Sequence, residues 1–144
     1  MKINTFSFHD KARQWQLAPT KFKRLTLLVG ASGVGKTQIL RAIYTLKEIV
    51  KGESFNGIAW KIDFSTIKGN HYLWEGEFEQ KDTALFDDDN EEIFTKNPKI
   101  DFERIYKNSK LLVVRYKDKI EYQKNETVKL NREKSVLSHL EEDF

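Results

Sequence analysis

The sequence predicts an α/β fold, a mixed sheet carrying one helix and joined to an antiparallel layer. Two observations lead there. An apolar, partly β-branched run, Leu25-Thr26-Leu27-Leu28-Val29, enters a glycine-rich stretch, Gly30-Ala31-Ser32-Gly33-Val34-Gly35-Lys36-Thr37, and apolar residues at helical spacing follow it. Further along, two stretches alternate apolar and polar residues, the pattern of strands with one buried and one wet face.

The elements follow in order. Lys2 to Phe8 reads as a first strand, with Thr5, Phe6 and Phe8 favouring extended backbone. His9 to Gln16 is polar apart from Trp15, and Leu17-Ala18-Pro19-Thr20 reads as a strand end turning toward Phe22. Leu25 to Val29 is expected as a buried parallel strand. Beyond the loop, Ile39, Ile43, Leu46 and Val50 recur at helical spacing beside Leu40 and Ala42, and Gly52 is the stop signal. Ile58, Trp60, Ile62 and Phe64 then share one face, with Ala59, Lys61, Asp63 and Ser65 on the other. After the turn Lys68-Gly69-Asn70, the residues Tyr72, Trp74, Gly76 and Phe78 oppose Glu75, Glu77 and Glu79, which predicts an antiparallel hairpin. Gln80 to Pro98 is a polar, acidic connection. Phe102 to Tyr106, Leu111 to Tyr116, Ile120 to Gln123 and Thr127 to Leu130 read as a meander, and Ser135 to Leu140 as the start of a short helix. Antiparallel strands are thus expected over about 57–79 and 102–130. A nucleoside-monophosphate kinase or a small GTPase would instead alternate strand and helix.

The 144 residues suit one domain, and 39% apolar with 12% aromatic residues supply a core, which excludes a disordered chain. No run is apolar for long enough to span a bilayer and no signal-peptide core opens the chain. There is no cysteine, so disulfides and thiolate metal sites are excluded. A cytoplasmic protein without membrane contact is expected. The net charge of +3 permits nucleic-acid contact without arguing for it.

The glycine-rich stretch has the form G-x-x-x-x-G-K-[ST], the phosphate-binding loop. Its glycines let backbone N–H groups approach phosphate oxygens closely, because no Cβ intervenes. Lys36 is a mobile charge able to reach the β- and γ-phosphates, and the Thr37 hydroxyl is a Mg²⁺ ligand. The helix that starts here points its positive end at the anion. The expected ligand-binding set is therefore Gly30, Ala31, Ser32, Gly33, Val34, Gly35, Lys36 and Thr37, with Lys36 as the catalytic candidate and Thr37 as the metal ligand.

The extra inner glycine gives G-x-[SN]-G-x-G-K-[ST], which resembles the ABC-type phosphate loop. Ile3 to Phe8, then Arg13, Trp15 and a strand running into the loop, resemble the N-terminal start of RecF/SMC-like ABC ATPases. Leu28 to Leu46 looks most like the AAA-family, ABC-type ATPases of the Septu and retron-associated anti-phage class. The resemblance implies the N-terminal lobe of a P-loop NTPase, one lobe over 1–144 of a longer ATPase. It also implies ATP and Mg²⁺ as ligands, homo-oligomers that sandwich the nucleotide, and a switch acting on DNA or RNA or on an effector such as a nuclease. Trp15 would then stack on adenine. The sequence departs from that pattern: no Walker B Asp-Glu, signature motif, D-loop or switch histidine is present, and Gln80 and Gln123 are Q-loop candidates without context. Binding is therefore expected to outrun hydrolysis, which needs a positioned water.

Other candidates read more simply as structure. Ala84-Leu85-Phe86-Asp87-Asp88 has the outline of a degenerate Walker B, but Asp89, Glu91 and Glu92 continue the charge run, as in a solvated loop. The glycine a calcium loop needs is missing there. His9, His71 and His139 lack ligand spacing, Trp15 also suits core packing, and Lys11 and Arg13 also suit a surface. Lysines from Lys117 to Lys134 are interleaved with Asp118, Glu121, Glu126 and Glu133, so no clean basic stripe forms. The alternatives to an ATPase module are a small-molecule phosphotransferase, which needs an acceptor site, and a non-catalytic domain that a nucleotide merely stabilises.

Overall fold

The computed structural model describes residues 1–31, 33, 35–81, 97–122, 126–127 and 130–139. The strands are β1 (Lys2–Asp10), β2 (Trp15–Lys21), β3 (Ile58–Ser65), β4 (His71–Phe78), β5 (Ile100–Lys107), β6 (Lys110–Tyr116), β7 (Lys119–Tyr122) and β8 (Glu126–Thr127). They form one eight-stranded sheet in the order β2-β1-β3-β4-β5-β6-β7-β8. Every pairing is antiparallel. The helices are α1 (Lys36–Val50) and a 3-10 turn at Val136–His139.

The expected α/β class, a P-loop NTPase lobe with a mixed sheet, is therefore overturned: this is an antiparallel β-sheet with one α-helix across it. The physical reason lies in Leu25 to Val29, which forms no strand. Leu25, Leu27 and Val29 are 87%, 80% and 76% exposed and Leu28 is half-buried, so the run has no ladder partner and little cover among the described residues. A parallel strand needs a second parallel strand reached by a crossover, and each strand described here is joined instead to antiparallel neighbours.

Alternation builds the core face. Ile58, Trp60, Ile62 and Phe64 of β3 and Tyr72, Trp74 and Phe78 of β4 are all buried, in a register that sets Trp60 opposite Gly76 and Ile62 opposite Trp74. The Trp60 and Trp74 rings meet edge to face at 5.1 Å, and Trp60 lies 5.5 Å from Phe78. Gly76 is required there, because a Cβ would stand 2.5 Å from Trp60 Cζ2. Helix α1 lays Ala42, Leu46 and Ile49 on this face. The buried stripe shares Leu46 with the anticipated Ile39–Ile43–Leu46–Val50 line and turns toward Ala42 and Ile49, with Ile43 and Val50 at its margin. Helix and sheet enclose an apolar groove of about 510 Å³, lined by Ile3, Leu40, Ile43, Ile62, Phe64 and Leu137 among others.

At the far end, the 130–139 segment is tied to the sheet by buried polar groups. Glu103 of β5 and Arg115 of β6 are both fully enclosed. Glu103 accepts hydrogen bonds from Trp74 Nε1 (2.9 Å), Val136 N (2.9 Å) and Ser135 Oγ. Arg115 donates to the carbonyls of Lys134 (2.7 Å) and Asn131 (3.4 Å).

Candidate functional site

The glycine-rich loop expected to bind phosphate sits where α1 begins. Gly35 caps the helix at φ 95°, with no side chain hydrogen-bonded to the first turn and no acidic residue in that turn. The free N–H groups and the positive end of the helix dipole are left for an anion. Gly33 also lies in the left-handed region, at φ 84°, where any side chain would be strained. Lys36 Nζ donates to the carbonyls of Gly30 and Ala31, the latter at 2.6 Å, so the cation is folded over its own loop. Thr37 is exposed in the first turn. Ser32 and Val34 of the expected set lie outside the described residues.

Trp15 is the aromatic neighbour of the loop. It opens β2 opposite Asp10 and packs its ring against Phe8 at 6.0 Å. Its Nε1 lies 4.0 Å from where a Cβ on Gly35 would stand, so the indole borders the loop at the helix start. The sequence offered Trp15 as core or as stacking platform; it is half-buried and serves the core with one edge.

The other candidates are placed elsewhere. Arg13 is drawn onto Asp10, by its backbone N–H (2.9 Å) and its guanidinium (3.1 Å). Lys11 pairs with Glu77. His71 faces Asp63 at 2.8 Å, His139 meets Ser138 at 2.7 Å, and His9 lies on β1, so the three histidines do not converge. Among the described residues no three His, Asp or Glu come together to hold a metal. The Ala84–Asp88 stretch, the acidic run after it, and Gln123 lie outside the described residues. Gln80 packs its Cγ over Gly57.

Two groups escaped the sequence reading. Asp10 is buried and organises the β1–β2 turn through Arg13, and its signal was an acid ending an alternating strand. Glu103 was hidden because its cover, Ser135 and Val136, is about thirty residues away in sequence. Burial pushes the Glu103 carboxyl above the usual range, against its hydrogen bonds and the nearby Arg115; burial likewise pulls Arg115 down, against Glu103.

No protein-family model matches this chain. No curated protein and no solved structure matches it either. No helix among the described residues is long and apolar enough to cross a membrane.

Proposed function

We propose that this chain binds a nucleoside triphosphate at the loop 30–37 and serves as a nucleotide-responsive module. One observation carries the reading: an uncapped helix N-terminus, two left-handed glycines and Lys36 meet at a single turn. Lys36 exchanges the Gly30 and Ala31 carbonyls for phosphate oxygens when the anion arrives. Backbone N–H groups of the loop and first turn supply further donors. Thr37 holds Mg²⁺, which supplies charge neutralisation between phosphate oxygens. Trp15 walls the loop and excludes water from one side. The resemblance to ABC-type loops favours ATP, and from that resemblance comes the role of a switch acting on an effector or a nucleic acid. The sequence carries no Walker B Asp-Glu and no signature motif, so binding without rapid turnover is expected from this chain.

Calorimetry with MgATP tests the reading, on the wild type, Lys36→Ala and Trp15→Ala, with phosphate release followed in the same samples. Expected are binding by the wild type, a loss of at least tenfold in Lys36→Ala, and turnover near background. Absence of binding by the folded wild type sinks the proposal. Rapid turnover by the chain alone sinks the expectation of a slow site.

A further inference from the structure

The core uses one face of the sheet, and the opposite face carries chemistry that the phosphate loop does not use. The register of β4, β5, β6 and β7 sets three rows across it. Glu77, Phe102, Tyr116 and Lys119 form one row, and Glu75, Arg104, Val114 and Glu121 the next. Leu73, Tyr106 and Leu111 form the third. Helix α1 lies against Ile62, Phe64 and Trp74, on the other side. Tyr116 is 65% exposed and Leu111 44%, while Leu73, Phe102, Tyr106 and Val114 are half-buried. Three aromatic rings on one open sheet face are unusual for a surface that merely keeps a protein in solution.

The charges around those rings favour a polyanion. Arg104 stands 5.7 Å over the Phe102 ring, and Lys117 Nζ 5.8 Å over Tyr116. From Lys99 to Tyr122 the chain holds seven Lys and Arg against four Asp and Glu, with Arg115 and Glu103 turned into the core. The acids of the open face are largely engaged: Glu75 by Lys61 (3.0 Å) and Arg104 (3.5 Å), and Glu77 by Lys11. Asp118, between Lys117 and Lys119 in sequence, is exposed and stands 3.6 Å from Arg132. Beside Phe102 the same face sinks into a hollow of about 230 Å³ over Ala59, with Ser7, His9, Gln16 and Lys61 on its walls. Those side chains offer donors and acceptors at a size that admits one nucleobase.

We infer that this face binds single-stranded nucleic acid. Phe102 and Tyr116, directly opposite one another on β5 and β6, stack consecutive bases, and Tyr106 extends the platform. Lys117 and Lys119 meet the phosphates, Arg104 joins them on leaving Glu75, and the hollow beside Phe102 takes a base edge. A duplex, whose bases are already stacked, gains nothing from such a platform.

Fluorescence anisotropy with labelled dT12, rU12 and a 12-base-pair duplex, at low and at physiological salt, tests it on the full chain. Both single strands should bind, more weakly as salt rises, and the duplex should bind at least tenfold less tightly. The two single-strand arms show whether the 2′-hydroxyl matters. Phe102→Ala and Tyr116→Ala should each cost about five- to a hundredfold in affinity. Lys117→Glu with Lys119→Glu should weaken binding and flatten its salt dependence. Circular dichroism and thermal melting identify any variant that has failed to fold, and the exposed Tyr116 keeps the test open if Phe102→Ala is one. Lys36→Ala, at the start of the helix on the other side of the sheet, should leave oligonucleotide affinity unchanged; a loss there would place the nucleic acid at the glycine-rich loop and overturn the inference. So would a wild type that binds neither single strand, or equal affinity for the duplex. Concentration-dependent self-association that Tyr116→Ala abolishes, in a chain that binds no oligonucleotide, would assign the face to a protein contact instead.

Discussion

Removing the Glu103 carboxylate is the sharpest test of how this sheet holds its last segment. With no exposed surface, the carboxylate takes hydrogen bonds from Trp74 Nε1, Ser135 Oγ and Val136 N, and Arg115 NH1 lies 4.0 Å away. Glu103→Leu leaves three buried donors without their acceptor, at about 1–3 kcal/mol each. It also leaves a buried guanidinium without its counter-ion, and breaking a buried pair from one side costs about 3–5 kcal/mol. These terms overlap, since water and side-chain movement relieve several together, so we expect a loss of about 5 kcal/mol. That is comparable with the whole stability of a domain this size. Glu103→Gln keeps an acceptor for Trp74 and Ser135 but turns its amide NH₂ toward the Val136 N–H or toward Arg115, and should cost about 2–3 kcal/mol. The partner change Arg115→Met strands Glu103 and frees the Lys134 and Asn131 carbonyls. Urea unfolding followed by tryptophan fluorescence reads all three, because Trp60 and Trp74 lie in the core. Glu103→Leu with Arg115→Met should lose less than the sum of the single changes, by at least 1.5 kcal/mol, since the pair leaves together. If Glu103→Leu costs under 1 kcal/mol, or the two changes add, the segment is not held in this way.

The remaining predictions concern the same pair, Gly76 and the loop. Because burial holds the folded Glu103 carboxyl above its unfolded value, the folded chain takes up the proton first as pH falls. Glu103 should therefore add stability as pH drops from the folded toward the unfolded value, with the gain complete below the unfolded value and lost above the folded one. Subtracting the Glu103→Gln curve of unfolding midpoint against pH should isolate that slope, and a slope of opposite sign would mean that the hydrogen bonds outweigh burial. Gly76→Ala should cost about 3 kcal/mol in urea unfolding, since its Cβ would meet Trp60 Cζ2 at 2.5 Å and the Phe102 carbonyl at 3.1 Å, while Trp74 and Phe78 hem the indole in; a cost under 0.5 kcal/mol would show that the ring has room to move. Gly35→Ala meets only the Trp15 edge at 4.0 Å, so its cost is the strain of φ 95°, about 1–2 kcal/mol. Calorimetry should show it lowering nucleotide affinity, and unchanged affinity would separate the left-handed cap from phosphate binding.

Why the hairpins were legible and the sheet class was not comes down to what a residue pattern can encode. Trp60, Ile62 and Phe64 against Lys61, Asp63 and Ser65 state both a conformation and a face, because period-2 alternation suits only a strand with one side covered. Leu25 to Val29 states less. A run apolar at every position says that both faces need cover, but it names no neighbour to supply the ladder. The described sheet offers none: at its near end stands β2, an edge strand carrying Pro19, whose ring nitrogen cannot donate to a further strand. Without a ladder, the expected parallel strand becomes an exposed lead-in, and with it goes the mixed sheet.

The glycine-rich loop could be placed from the sequence for the opposite reason, since its signals are local. Gly33 and Gly35 take left-handed backbone and Lys36 opens α1 within one turn, whatever sheet lies behind. What the motif could not show is its support. Here the C-terminal half of the loop is held by the helix and bordered by Trp15, while its N-terminal half enters from Leu25 to Val29, which lacks a ladder. Under the proposed function, any ordering of this lead-in on binding would be subtracted from affinity. Trp15 bears the greater share of the positioning as a result. Trp15→Ala should weaken nucleotide binding by more than the lost ring contact alone, while Phe8→Leu, which disturbs only the ring's backing, should weaken it less.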